Sequence, residues 1–92
     1  MSVNDFLLVK AKNMRVMLEP YIKTDEHKAL LLKYNEKEIV SLIHTHLIPL
    51  YATGTLNLAR DTLVSELGIT DPSIVDKIGR YFLCFCESVM VK

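Results

Sequence analysis

Tryptophan is absent from the 92 residues, which hold only three glycines, three prolines and two cysteines. Three glycines do not build a phosphate-cradling loop, and neither the Walker nor the dinucleotide-binding pattern occurs. One Cys-x-Cys pair, Cys84 and Cys86, makes no disulfide framework and half a metal site at most. Two residues apart in a helix, the two thiols point to different sides and do not bond to each other. Free thiols in an apolar stretch predict a reducing, intracellular compartment. The opening Met1-Ser2-Val3-Asn4-Asp5 has no basic n-region and no cleavage pattern, so the expectation is a cytoplasmic chain that is not secreted. An excess of either charge is missing too. Eleven basic residues balance eleven acidic ones, seven against six in residues 1–38 and four against five in residues 39–92. Nucleic-acid binding draws on clustered Lys and Arg to neutralise phosphates, and the sequence shows no such cluster.

Charge is also missing from residues 39–59, a stretch long enough to raise the question of a membrane span. His44, His46, Pro49, Gly54, Asn57 and three threonines interrupt it. That pattern fits a buried helix, a turn and the start of the next helix, and no membrane span is expected. What the chain has in quantity is apolar side chain: half its residues, with a mean hydropathy of +0.22. A single domain of this length buries about two-thirds of its unfolded surface, so some of that apolar area is expected to meet another chain.

The periodicity is helical throughout, and the predicted fold is all-α, a compact bundle of about five helices forming one domain over residues 1–92. A first helix is predicted from Asp5 to Leu18, capped by Asn4 and stopped by Pro20. Leu7, Ala11, Met14 and Leu18 form its stripe, which Phe6, Val9 and Met17 widen. Thr24 caps a second helix with Asp25 and Glu26 in its first turn and Ala29, Leu30, Leu31 and Leu32 as its bulk. Asn35 with Glu38 resembles a capping box and predicts a third helix from near Glu36, with one helix over residues 25–48 as the competing solution. Ile39, Leu42, Ile43, His46, Leu47 and Leu50 share its apolar face, and Pro49 is expected to kink or end it. A fourth helix is predicted from Leu56 to Leu67. Gly68 suits the left-handed residue beyond its end, and Ile69 and Val64 the apolar contact of a Schellman motif. Thr70 or Asp71 caps the fifth helix with Pro72 in its first turn. That helix runs to about Val89, with Ile74, Ile78, Phe82, Phe85 and Val89 on one side. Gly79 inside it costs about 1 kcal/mol relative to Ala, which a close neighbour or a kink would justify.

Candidates for chemistry are few. His44 and His46 are two apart, and on a helix they point to opposite sides, so they do not bind one metal ion. His46 falls within the apolar face and is expected to be a buried, hydrogen-bonded histidine whose protonation would destabilise the fold. Ser41, Ser65, Ser73 and Ser88 lack any elbow-type turn, and only Arg80 near Cys84 and Cys86 would stabilise a thiolate. The sequence therefore predicts no catalytic residue, metal, cofactor or small-molecule substrate.

Two functions remain. Residues 63–82 resemble the helix-turn-helix of bacterial repressors and related regulators: Val64 early, Gly68 opening the turn, Ile69 after it, and Ser73-Ile74 near the start of the second helix. The resemblance covers about a fifth of the chain. It implies a DNA-binding regulator in which Ser73, Lys77 and Arg80 face the groove. Asp71 and Asp76 lie on the same side and Glu66 precedes the turn, and carboxylates against phosphates cost affinity. The same segment also suits a tight corner in a helical bundle. The last helix is apolar around most of its girth, with Leu83, Met90 and, less so, Cys84 outside the core stripe. Ile48 is a smaller instance in the third helix. A helix of that kind is buried on more than one side. The favoured expectation is thus a non-enzymatic protein–protein interaction or assembly subunit, binding its own copy or another chain through Leu83, Met90, Cys84 and Ile48. An obligate oligomer, or a small component of a larger complex such as a viral or phage particle, fits that description.

Overall fold

The computed structural model describes residues 3–35 and 37–90, with side chains from Asp5 onward. The helix expected to start near Glu36 therefore has that residue outside the described ones, as are Met1 and Ser2 of the opening segment. Five helices are present among the described residues: α1 (Val3–Leu18), α2 (Asp25–Leu32), α3 (39–52), α4 (Asn57–Leu67) and α5 (Pro72–Met90). A 3-10 turn, Glu19–Tyr21, follows α1, which ends two residues before Pro20. Because α1 begins at Val3, Asn4 lies inside its first turn rather than capping it.

Side-chain oxygens cap α2 and α5, whereas the N-cap residues of α3 and α4 make no side-chain cap bond. Thr24 Oγ1 accepts the His27 N–H at 3.1 Å and caps α2. Asn35 then serves two helices. Its amide donates to the Leu32 carbonyl at the end of α2. Its oxygen accepts the N–H groups of Lys37 and Glu38 at 2.8 and 3.1 Å, ahead of α3. The Asn35 carbonyl takes the first bond of that helix, from Ile39 N–H. Residues 25–48 are consequently two helices, separated at Asn35.

The third helix neither ends nor breaks at Pro49. It begins as α-helix (Ile39–Leu42), widens to a π turn (Ile43–Leu47) and resumes as α-helix (Ile48–Ala52). Proline lacks the N–H that would bond four residues back and its ring crowds that carbonyl. The wider turn, in which Ile48 N–H reaches the Ile43 carbonyl, accommodates both just ahead of Pro49. It also changes which residues face inward. With more than four residues per turn, Leu47 comes back into line with Ile43, and both are buried with Ile39. His46 swings out. The expected buried histidine is therefore overturned: His46 is exposed, and the acid destabilisation that rested on its burial loses its premise.

Glycine closes α3 and α4 alike. Gly54 and Gly68 have φ of +72° and +66°, the left-handed region that costs other L-residues roughly 1–2 kcal/mol. At the second of these, Ile69 N–H reaches the Val64 carbonyl at 3.0 Å and Gly68 N–H the Ser65 carbonyl at 3.3 Å, the Schellman pattern. Ile69 is buried beyond it. Asp71 Oδ1 accepts the Ser73 N–H at 2.9 Å, which makes Asp71 the cap of α5 and Pro72 its first residue. The Gly68–Pro72 corner thus forms as its residues dictate.

The core is built around α5. Its Ile78, Phe82, Phe85 and Cys86 are buried against Leu7, Ala11, Met14 and Leu18 of α1, Ile39, Ile43 and Leu47 of α3, and Ala59, Leu63 and Leu67 of α4. Tyr34, between α2 and α3, stacks on Phe82 with ring centroids 5.8 Å apart. No polar or charged residue is buried among the described residues. Gly79 of α5 gives room to a neighbour: a Cβ there would sit 3.3 Å from Cδ of Arg60, whose side chain crosses from α4. Three placements differ from expectation, because α1 and α2 lie at the edge. Val9, Ala29 and Leu32 are exposed, and α2 has no fully buried residue.

The accessible surface, 5803 Å², is close to the roughly 5,400 Å² of a folded chain of this mass. No helix among the described residues is long and apolar enough to cross a membrane. A substitution isolates the corner energetically. The space around Gly68 is open, so Gly68→Ala meets only backbone strain and should lower the unfolding free energy by about 1–2 kcal/mol in urea titration.

Candidate interaction surfaces

The outer side of α5 carries two of the residues expected to bind a partner. Leu83 is 42% and Met90 51% exposed. Seven residues apart, they lie on one stripe two turns long, with Glu87 exposed between them. Cys84 is half-buried, its Sγ 4.0 Å from Ser88 Oγ one turn on. Ile48 is half-buried and packs against the core, on α3, so the structure does not group it with the α5 stripe. Leu83 also borders a shallow cleft with Tyr51, Leu56, Arg60 and Gly79, under which α3, α4 and α5 meet.

Ser73, Lys77 and Arg80 are exposed on the first half of α5. Arg80 Nε is 2.9 Å from Asp76 Oδ2, one turn back, so a carboxylate already engages that guanidinium. Lys77 and Arg80 line a small cleft with Lys10 of α1, Tyr81 and Cys84. Lys10 Nζ itself lies 5.4 Å from the centre of the Phe6 ring.

Sequence periodicity did not reveal two further surfaces. Between α1 and α2 is an open groove of about 670 Å³, lined by Lys12, Arg15, Val16, Glu19, Ile22, Lys28, Leu31 and Leu32. Val16 is 59% and Leu32 51% exposed. Val16 sits off the Leu7–Leu18 stripe, and that offset was the available signal. Leu32 reads as core by hydrophobicity alone. The second is a cleft of about 790 Å³ between α2, α3 and α4, floored by Leu30, Leu42 and Leu63 and rimmed by Lys33, Glu38, His46 and Glu66. On α4, Leu58 stands 57% exposed on the outer face.

Among the described residues no three His, Cys, Asp or Glu side chains gather as a metal site would require. His44 and His46 are both exposed. Burial, with the nearby Glu87 carboxylate, pushes the Cys86 thiol up from 9.0 to about 11, which keeps it protonated and a poor nucleophile at neutral pH. Burial pushes the Tyr34 phenol up from 10.0 to about 12. Both groups are held neutral in the fold and ionise more readily in the unfolded chain. Their contribution to stability is therefore complete below pH 9.0 and is lost as pH climbs through about 11 for Cys86 and about 12 for Tyr34. Thermal melting should accordingly fall on alkalinisation above pH 9.0, and Tyr34→Phe should remove the portion that sets in above pH 10.0. No protein-family model matches the chain, and no curated protein or solved structure matches it either.

Proposed function

We propose that the chain is a non-enzymatic protein–protein interaction module, an assembly subunit that docks a second chain on the outer stripe of α5. The observation that carries this reading is the pairing of Leu83 and Met90, both about half exposed on one stripe of the helix that also forms the core. Single exposed leucines are ordinary on protein surfaces. Two large apolar side chains in helical register, on the most rigidly packed element, form a stripe that a partner helix or groove can cover. The free thiols Cys84 and Cys86 support a reducing, intracellular setting for this contact.

A second reading, DNA binding through the α4–α5 corner, draws on the cleft shared by Lys10, Lys77 and Arg80. Asp76 offsets the charge of Arg80 there, which favours the protein partner over phosphate.

Substitution at the stripe separates association from folding. Leu83→Asp and Met90→Asp replace half-exposed apolar side chains outside the core stripe, so each variant is expected to keep the fold with a modest loss of stability. Light scattering after size exclusion should show concentration-dependent mass for the wild type, or capture of a partner chain, and a weakening of either in the double variant, with circular dichroism confirming that it folds. A monomer that captures no chain, with identical behaviour in the variant, refutes the protein reading. Binding of random duplex at low salt that weakens as salt rises, and is lost in Lys77→Ala with Arg80→Ala, would support the DNA reading instead.

A further inference from the structure

The groove between α1 and α2 carries charge that forms no ion pair among the described residues. Lys12, Arg15 and Lys28 line it against a single carboxylate, Glu19. The ion pairs among the described residues, Arg60–Asp61 and Arg80–Asp76, involve none of these three cations. Arg15 Nε is enclosed and donates no hydrogen bond, a state that disfavours the isolated chain. Beside these cations the groove carries the exposed Val16 and Leu32 and the half-buried Ile22 and Leu31.

Helix α4 presents the complementary order. Leu58 stands at the centre of its outer face, and the helical period places Ser65 beside it, Asp61 on one flank and Thr62 with Glu66 on the other. All five residues are exposed. The surrounding sequence is acidic: residues 57–76 hold one basic residue, Arg60, against Asp61, Glu66, Asp71 and Asp76. Asp61 does pair with Arg60 at 3.0 Å, but an exposed pair of this kind is weak enough to exchange partners. A groove that combines cations with exposed apolar residues thus complements a ridge that combines carboxylates with an exposed leucine.

We infer that α4 of a second copy of this chain seats in the α1–α2 groove, with Leu58 between Val16 and Leu32 and its carboxylates facing Lys12, Arg15 and Lys28. The inference rests on the protein–protein reading and adds a self-contact separate from the α5 stripe. Groove and ridge share no residue, so every copy offers both. The contact repeats from copy to copy unless the rotation between them closes the assembly.

The test is sedimentation of the full chain over a concentration series. Wild-type mass should rise with concentration and fall as salt screens the charges. Lys28→Glu in the groove and Asp61→Lys on the ridge should each raise the apparent Kd by about tenfold or more. An equimolar mixture of the two variants should recover a one-to-one pair, because each retains the surface that the other has lost. Circular dichroism confirms that both fold, and Lys12→Glu replaces Lys28→Glu if the latter does not. A wild type that is monomeric at every concentration overturns the inference, as does a mixture that stays monomeric. Wild-type association that neither charge reversal weakens also overturns it, while leaving assembly through Leu83 and Met90 standing.

Discussion

Burial of one face of α5 holds the molecule together. Ile78, Phe82 and Phe85 are withdrawn from water by α1, α3 and α4, and Tyr34 adds its ring to Phe82. Truncating a buried phenylalanine typically costs about 3–5 kcal/mol, a large share of what a domain of this size has in total. Helices α1, α3 and α4 each meet this one more than they meet one another. The direction of α5 is therefore the reference for every surface described, and the corner at Gly68 sets that direction relative to α4. A left-handed glycine, a buried Ile69 and the Asp71 cap fix the chain over four residues. Tertiary packing and local stereochemistry agree at that point, as they do in sequences that specify one structure.

Legibility in the sequence follows the same division. The stripe Leu7, Ala11, Met14, Leu18 and the face Ile78, Phe82, Phe85 were readable because each long helix keeps one period from end to end. The cap at Thr24 and the break at Asn35 were readable, and Asp71 was one of two candidates for its helix, because an Asx or Thr oxygen ahead of a helical run has little else to bond. Asn4 fits the same pattern yet lies inside α1. His46 was misplaced for a physical reason. A wheel drawn at constant pitch across residues 39–50 cannot register a π turn, and Pro49 forces one. Hydrophobicity likewise does not say whether a leucine lies at the middle or the margin of a bundle, so Leu32 read as core. Leu83 and Met90 were legible as residues outside the core stripe of α5. The α1–α2 groove was not, because it is a property of two helices separated by the Glu19–Tyr21 turn and appears only once they pack.

Among the described residues the core buries no polar or charged residue, and the ionisable side chains with exposed tips are spread along helix faces. The surfaces differ in character. The α5 stripe is apolar with one carboxylate, the α1–α2 groove apolar with cations, and the α4 ridge polar with acids around one leucine.

Helix α2 has a consequence of its own. Leu31 and Leu32 line the groove toward α1, while Leu30 and Lys33 line the cleft toward α4, so one short helix is a wall common to both. It contains no fully buried residue and is held mainly by half-buried leucines and its two polar caps. An element secured so lightly belongs to the low-stability end of a fold. The two recesses share no floor residue, yet they share this wall.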